Sequence, residues 1–198
     1  MTAVASKPNA IRQGWQIRAS RHLYQSHWYN VRQDDIRLPD GQEITFTQIE
    51  HPGFVTVVPV TDDRQIVLIY SYRYTVDEWV WEVPAGGLGN KPHLTPLAVA
   101  QEELAEEVGG VAATWRPIGS YYAGIGSSNV RAHVFLATGV QLNGRQQLES
   151  TEIIQVRTVP VAEALAMARS GVMQDGQSVL ALLWCEPWLQ EMMTGKGS

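Results

Sequence analysis

One segment in the middle of the chain, residues 95–110, constrains the fold more than any other stretch. Its sequence, T-P-L-A-V-A-Q-E-E-L-A-E-E-V-G-G, predicts an α-helix. Thr95 suits the N-cap, Pro96 suits the first helical position, and Gly109 suits the stop. At about 100° per residue, the apolar side chains expected on one buried face are Leu97, Ala100, Leu104 and Val108. A helix with one narrow apolar stripe has to pack that stripe against another layer.

β-Branched and aromatic runs lie on both sides of this helix and predict short strands. The strands predicted before the helix are 15–19, 29–38, 43–49, 54–60, 65–72 and 78–83. Those predicted after it are 115–122, 131–139 and 153–159, and helices are predicted at 160–169 and 178–188. Because strands and helices do not alternate, a doubly wound parallel sheet is not expected. The order indicates a mixed α/β domain.

The tripeptide His51-Pro52-Gly53 divides the predicted elements into two parts. Residues 1–50 are interpreted as an N-terminal extension and a small β subdomain, which is too small to fold alone. Residues 51–198 form the main domain. The first ten residues are polar and are expected to be frayed.

Composition excludes several classes of protein. A net charge of −5 leaves no basic patch for phosphate backbones, so nucleic acid is not an expected partner. Cys185 is the only cysteine and is expected in the core, which excludes an internal disulfide and a cysteine-rich metal site. No apolar run reaches about 18 residues and no signal-peptide pattern is seen, so no membrane association and a cytoplasmic location are expected.

Four carboxylates crowd the last two turns of the predicted helix: Glu102, Glu103, Glu106 and Glu107. Like charges one turn apart repel, and the negative end of the helix dipole adds to the cost. No Lys or Arg within the segment balances them, so the sequence lacks an evident cationic partner. Two interpretations stay open at this point: a solvated acidic face, or a site for a hard divalent cation such as Mg²⁺.

Two neighbouring features favour the metal interpretation. A glycine-rich loop, P-A-G-G-L-G-N (84–90), precedes the helix and lets backbone approach a ligand closely. Arg73 lies on a strand just before that loop. Carboxylates can hold a metal ion, the metal ion can bridge phosphate oxygens, and an arginine can neutralise the remaining phosphate charge. This combination suits a diphosphate substrate.

These residues carry a family resemblance. The run E-V-P-A-G (82–86), followed by E-L-A-E-E-V-G (103–109), resembles the Nudix box, a glycine loop leading to a helix that ends R-E-x-x-E-E-x-G. The resemblance covers roughly residues 20–185 and is strongest to the ADP-ribose pyrophosphatase branch. Its further stretches are L-P-D-G (38–41), H-P-G (51–53), Y-R-Y (72–74), V-F-L-A-T-G (134–139) and a C-terminal series of Gly171, Asp175 and A-L-L (181–183).

The resemblance implies a fold and a set of site residues. The fold would be a Nudix-type α/β/α sandwich with a mixed sheet, and the N-terminal β subdomain would join two protomers in a homodimer. Mg²⁺, with Mn²⁺ as the alternative, would be held by the carbonyl of Ala85 and by Glu103, Glu106 and Glu107. The substrate-binding residues would be Arg73, Glu82 and Trp28, with Trp28 either stacked on adenine or merely exposed at an interface.

The sequence departs from the family pattern in four respects. Glu102 stands where the box carries arginine, Leu94 stands near the place of a glutamate, and the loop is about two residues too long. Because that arginine and that glutamate are expected to pair, the loss of both is less damaging than the loss of one. Val130 also replaces a glutamate that often precedes Arg131.

The resemblance also implies a function. The expected reaction is Mg²⁺-dependent hydrolysis of a nucleoside diphosphate sugar, most simply ADP-ribose to AMP and ribose 5-phosphate. The general base is expected in the loop before the last strand, where Glu152 is preferred over Glu149, with the box residue Glu106 as a further candidate. The alternatives are a weak or inactive nucleotide-binding homologue and a hydrolase of another nucleotide sugar.

Overall fold

The structure, a computed structural model, describes residues 7–89 and 91–194. These residues form two compact units. The first unit contains residues 7–52 and 122–131, and the second contains 53–89, 91–121 and 132–194. Among the residues described, no helix is both long and apolar enough to cross a membrane.

The first unit is a three-stranded antiparallel sheet in the order β1-β2-β3. Its elements are a short helix α1 (Pro8–Arg12) and strands β1 (Gln16–Gln25), β2 (Asn30–Arg37) and β3 (Glu43–Glu50). The L-P-D-G stretch (38–41) forms the turn between β2 and β3, since Gly41 adopts φ 89° and its N–H donates to the carbonyl of Leu38 over 2.9 Å. The structure corrects two predictions: β1 extends to Gln25 because β2 pairs along its whole length, and α1 replaces part of the predicted frayed tail. The remainder of that tail, residues 1–6, lies outside the described chain.

The interior of the first unit is largely polar. The Arg32 side chain, 2% exposed, donates to Asp34 over 2.8 Å and to Glu50 over 3.1 Å. His22 also contacts Glu50, over 2.8 Å. Among the described residues of this unit, Ile36 is the one hydrophobic side chain that is buried. The sheet therefore has a charged network where a small domain ordinarily has an apolar core.

The second unit is built on an eight-stranded mixed sheet. Its strands are β4 (Phe54–Thr61), β5 (Gln65–Arg73), β6 (Glu78–Glu82), β7 (Ala85–Gly87), β8 (Gly110–Val111), β9 (Thr114–Tyr122), β10 (Arg131–Leu142) and β11 (Ile154–Pro160). The main order is β11-β5-β4-β10-β8, with β6 paired to β5, β7 to β4 and β9 to β10. Strand β4 runs parallel to β10. The antiparallel pairs are β8 with β10, β11 with β5, β4 with β5, β4 with β7 and β5 with β6.

Helices cover both faces of this sheet. They are α2 (Pro96–Val108), α3 (Val161–Ser170) and α4 (Gly176–Thr194). Alternate residues of β4 point to opposite faces: Val57 packs in the cluster that contains α2, and Val58 packs in the cluster that contains α3 and α4. The second cluster includes the buried Cys185, as predicted. The predicted α/β/α sandwich with a mixed sheet is confirmed.

The boundaries of α2 follow its local signals. The Thr95 side chain accepts a hydrogen bond from the N–H of Ala98 over 3.2 Å, and Gly109 ends the helix in the left-handed conformation at φ 64°. The prediction that Leu97 is buried is wrong, since Leu97 is 37% exposed. The residues of α2 that are buried are Val99, Ala100, Glu103, Leu104, Glu107 and Val108. The buried face is therefore rotated toward the carboxylates.

Candidate functional site

The glycine loop lies directly against the carboxylate face of α2. The N–H of Ala85 donates to Oε2 of Glu107 over 3.0 Å. A Cβ atom on Gly86 would lie 2.0 Å from Cδ of Glu103, far inside van der Waals contact. A side chain at this position would therefore have to displace the carboxylate of Glu103.

Helix α4 also supports this loop. The buried Ser178 hydroxyl accepts a hydrogen bond from the N–H of Val83 over 3.0 Å and donates one to Asp175 over 2.6 Å. Asp175 also caps α4, since its carboxylate accepts from the N–H of Ser178 over 2.9 Å. The start of the loop is thus fixed by hydrogen bonds that run through the buried Ser178 to the beginning of α4.

Lys91 supplies a cation to the acidic helix, and the sequence prediction that no such partner exists is wrong. Its Nζ lies 3.0 Å from Oε2 of Glu102, 3.2 Å from Oε1 of Glu103 and 3.0 Å from Oε2 of Glu106. Lys91 precedes α2 in a loop, so helical periodicity could not place it beside these residues. The signal that could have found it is the loop itself, which is longer than the family pattern and carries this lysine.

Burial differs among the four carboxylates. The side chains of Glu102 and Glu106 are 45% and 42% exposed, whereas that of Glu103 is 11% exposed and Glu107 is buried. Burial raises the pKa of Glu103, against the effect of Lys91. Burial raises the pKa of Glu107 well above its usual value, and the charges of Glu103 and Glu152 add to this. The pair Glu103 and Glu107 is therefore the part of the cluster where negative charge is most costly.

The donor chemistry of this cluster fits a hard divalent cation. Three carboxylates already converge on one positive group, and carboxylate oxygens are the ligands that Mg²⁺ prefers. As the side chains stand, however, no group of three or more His, Cys, Asp or Glu among the described residues is arranged to hold a metal ion. The chemistry of these carboxylates fits the ion, and the ammonium group of Lys91 lies between the carboxylates.

Arg73 and Glu82 form an ion pair at the edge of the same region. Nε of Arg73 donates to Oε1 of Glu82 over 2.8 Å and to Oε2 over 3.1 Å, and Nη2 makes a further contact. Glu82 is buried, while the Arg73 side chain is 44% exposed. The hydrogen bond to Glu82 raises the pKa of Arg73, and the charges of Glu107 and Asp175 contribute. This guanidinium therefore lies within the field of the acidic helix.

The loop before β11 is attached to the C-terminal end of α2 by three hydrogen bonds. The N–H of Gly144 donates to the carbonyl of Gly109 over 2.9 Å, and the N–H of Gln147 donates to the carbonyl of Glu106 over 2.8 Å. Nε2 of Gln146 donates to the carbonyl of Glu107 over 2.7 Å. Carbonyls of the last helical turn have no partner within the helix, so such contacts satisfy them. The loop that carries Glu149 and Glu152 is thereby held at the acidic helix.

The two predicted base candidates differ in their surroundings. Glu152 is half-buried, and its charge raises the pKa of both Glu103 and Glu107. Its Oε2 accepts a hydrogen bond from the N–H of Glu149 over 2.8 Å. The Glu149 residue itself is exposed. Of these two candidates, Glu152 is the one whose charge affects the pKa values of Glu103 and Glu107.

Trp28 and Val130, both singled out in the sequence, lie in the first unit, as does Asn129. Trp28 is 47% exposed, with its ring centroid 4.3 Å from that of His27. The N–H of Val130 donates to Ser128 over 3.0 Å, and Oδ1 of Asn129 accepts from the N–H of His51 over 2.8 Å. The remaining predicted site residues all belong to the second unit, where Leu94 packs against the apolar cluster beneath α2.

Sequence comparisons match nearly the whole chain. The NUDIX domain profile matches residues 50–182, and that of the nucleoside diphosphate sugar hydrolase N-terminal domain matches residues 15–47. An ADP-ribose pyrophosphatase of Mycobacterium tuberculosis is 33% identical over 169 residues, which cover 83% of this chain and 80% of that protein. A CMP-5'-(N-acetyl-N-hydroxy-3-aminopropyl)phosphonate hydrolase of Streptomyces rubellomurinus is 31% identical over 170 residues, covering 85% and 81%.

A structural comparison agrees on the fold. The crystal structure of an ADP compounds hydrolase matches with a TM-score of 0.77 and covers 90% of this chain and 95% of its own. Sequence identity over the match is 18%, so the likeness is one of architecture.

Proposed function

Since the chain belongs to the Nudix family, we propose that it is a pyrophosphohydrolase of nucleoside diphosphate sugars. ADP-ribose is the proposed preferred substrate, in line with the relative that is 33% identical. Water adds to one phosphorus, the bridging P–O bond breaks, and the products are AMP and ribose 5-phosphate. The observation that carries the proposal is the packing of the glycine loop directly against the buried carboxylates Glu103 and Glu107 of α2.

Nudix enzymes generally need a divalent metal, and we assign Mg²⁺, with Mn²⁺ as a substitute, to this cluster. The proposed ligands are Glu103, Glu106, Glu107 and the carbonyl oxygen of Ala85. When bound, such an ion lowers the pKa of a coordinated water and offsets charge on the phosphate oxygens. The fixed contact between Ala85 and Glu107 supports this set, since it holds the loop and the helix together.

Arg73 and Glu82 are proposed to bind the diphosphate side of the substrate. The planar guanidinium of Arg73 suits two phosphate oxygens at once, and its partial exposure leaves room for them. Glu82 is buried and orients that guanidinium through its own hydrogen bonds. Trp28 is proposed to stack on the nucleobase, and the exposure of its ring supports this role.

Glu152 is proposed as the general base that accepts a proton from the attacking water. Its half-buried position and its electrostatic effect on Glu103 and Glu107 favour it. Glu149 and Glu106 are the next candidates. A carboxylate that interacts electrostatically with the proposed metal ligands is suited to accept that proton.

The decisive experiment is incubation with ADP-ribose and Mg²⁺, with AMP release measured by chromatography. We expect release by the wild-type protein and strong loss in Glu107→Gln. No release across a panel of nucleoside diphosphate sugars would overturn the enzymatic function. Release unaffected by Glu107→Gln would overturn the site assignment and leave the reaction standing.

Two observations favour alternative functions. The relative from Streptomyces rubellomurinus acts on a CMP-linked phosphonate, so a cytidine-containing substrate belongs in the panel. The position of Lys91 among the carboxylates favours a weakly active or inactive nucleotide-binding protein. Such a protein would bind ADP-ribose in calorimetry without turnover and without dependence on metal.

We further propose a homodimer that forms through the first unit and works in the cytoplasm. The large hydrophobic side chains exposed on this unit include Leu23, Tyr24, Tyr29 and Phe46. A surface of this kind, over a sheet with a polar interior, is suited to burial against a second copy. Light scattering after size-exclusion chromatography would distinguish a dimer from a 22.0 kDa monomer.

A further inference from the structure

The ammonium group of Lys91 is bound as a small ion would be. A lysine has three N–H donors, and Lys91 has three carboxylate partners at 3.0, 3.2 and 3.0 Å. Its side chain is 20% exposed, so most of its hydration has been exchanged for these contacts. All of its donors can therefore be satisfied by α2.

Two of those partners, Glu103 and Glu106, are proposed metal ligands, whereas Glu102 is not. A divalent cation between Glu103 and Glu106 would lie within a few ångströms of the ammonium group, where like charges repel strongly. In this structure, no group of three or more His, Cys, Asp or Glu among the described residues is arranged to hold a metal ion. The lysine and the metal are thus alternatives at one position.

We propose that Lys91 is a tethered competitor for the divalent cation: its ammonium group occupies the cluster in the metal-free protein, and metal binding displaces it toward Glu102. This inference rests on the proposed metal-dependent function. It assigns a role to the lengthened loop and to Glu102, neither of which the reaction itself requires. Lys91 is a positioning residue in this scheme and does not touch the substrate.

The structure offers a route for the displacement. The backbone of the loop is held by two turn hydrogen bonds, from Lys91 N–H to the carbonyl of Leu88 over 3.2 Å and from Leu94 N–H to that of Lys91 over 3.0 Å. The side chain is a flexible four-carbon stem, so its end can move while the backbone stays. Glu102, 45% exposed, lies outside the proposed ligand set and can keep the ammonium group paired in water.

The first test measures Mn²⁺ binding without substrate, by calorimetry or by electron paramagnetic resonance. We expect Lys91→Gln to bind Mn²⁺ about tenfold more tightly than wild type, since three ion pairs no longer compete. Lys7→Gln removes the same charge from the other unit and is expected to leave the affinity unchanged. Equal or weaker binding by Lys91→Gln would overturn the proposal.

The second test follows the lysine in the wild-type chain and does not depend on a variant. Acetylation with a succinimidyl ester is mapped by mass spectrometry, with Lys7 as internal reference. Mg²⁺ is expected to increase the relative labelling rate of Lys91 several-fold, because Nζ leaves the carboxylates. A purely structural ion pair would leave the labelling rate of Lys91 unchanged or lower it. Either result would contradict displacement.

The two proposals fail in different ways. Absence of Mn²⁺ binding in both wild type and Lys91→Gln would overturn the proposed metal site and this inference with it. Tighter Mn²⁺ binding by Lys91→Gln without hydrolysis of any nucleotide would support the competition and overturn the proposed reaction alone.

Discussion

The backbone N–H of Ala85 donates to the carboxylate of Glu107 over 3.0 Å, and this bond joins the glycine loop to the acidic helix. Glutamine at position 107 keeps an acceptor for that N–H and removes the charge. We expect Glu107→Gln to lose at least about 100-fold in AMP release, because a proposed metal ligand is gone.

The same variant is expected to unfold at an unchanged or higher temperature in EDTA. Burial raises the pKa of Glu107 in the folded state, so its ionised form at neutral pH costs stability that the uncharged amide does not. Thermal melts with EDTA and with Mg²⁺ check this, and Mg²⁺ should stabilise wild type more than the variant. Glu163→Gln, an exposed change of equal charge, is the control. A marked loss of stability in EDTA would contradict the account.

Arg73→Met is expected to leave the buried carboxylate of Glu82 without its partner. Because Arg73 is 44% exposed, the cost in the free energy of unfolding is about 1 kcal/mol, well below that of a fully buried pair. The double variant Arg73→Met/Glu82→Gln should recover most of this stability in urea denaturation. It should not recover the KM for ADP-ribose, which we expect to rise about tenfold. Recovery of both quantities would show that Arg73 is only structural.

Ser178→Ala is expected to destabilise the protein by about 1–3 kcal/mol, because the buried N–H of Val83 loses its acceptor. The melting temperature should fall by several degrees. Ser127→Ala, at an exposed position, serves as the matched control. Since Val83 begins the loop that carries Ala85, the activity of Ser178→Ala should also decrease below the temperature of unfolding.

Glu152→Gln is expected to lower kcat by about 10²–10⁴-fold with little effect on Mn²⁺ binding, as the loss of a general base would. Glu149→Gln should change kcat by much less, because Glu149 is exposed. Steady-state kinetics of the two variants at several pH values compares them directly. The reverse order of effects would assign the base to Glu149.

Burial raises the pKa of the Cys185 thiol to about 12, which gives a pH dependence with a definite sign. A thiol whose pKa is higher in the folded than in the unfolded chain contributes stability below the unfolded pKa, about 8.5, and loses it above. The stability difference between wild type and Cys185→Ala should therefore shrink by up to about 1.4 kcal/mol per pH unit above that value. Urea denaturation between pH 7.5 and roughly 9.5 measures it. A difference that stays constant would contradict this.

Local signals in the sequence were sufficient for most of the second unit. Thr95 and Gly109 mark the ends of α2 because capping depends on residues next to the helix. The prediction of a buried Leu97 is wrong because the periodicity argument takes into account only the hydrophobicity of the side chains. In the structure the helix turns Glu103 and Glu107 inward, where the glycine loop meets them.

The chief residue that the sequence could not place is Lys91. It lies 11 to 15 positions before its three carboxylate partners and reaches them from a loop whose path no periodicity describes. Similarly, the hydroxyl of Ser178 reaches Val83 across 95 positions. Such contacts depend on how the sheet brings distant segments together, and only tertiary structure reveals them.

The close approach of Gly86 to Glu103 has a consequence for protein engineering. A library that varies the glycine loop to broaden substrate choice has to leave position 86 fixed, since even a methyl group would push the carboxylate away. Gly87 has nothing within 4 Å of an added Cβ atom and can be varied freely in that respect. Gly86 and Gly87 thus differ in how well they tolerate an added side chain, and position 87 is the better one to vary when substrate choice is to be changed.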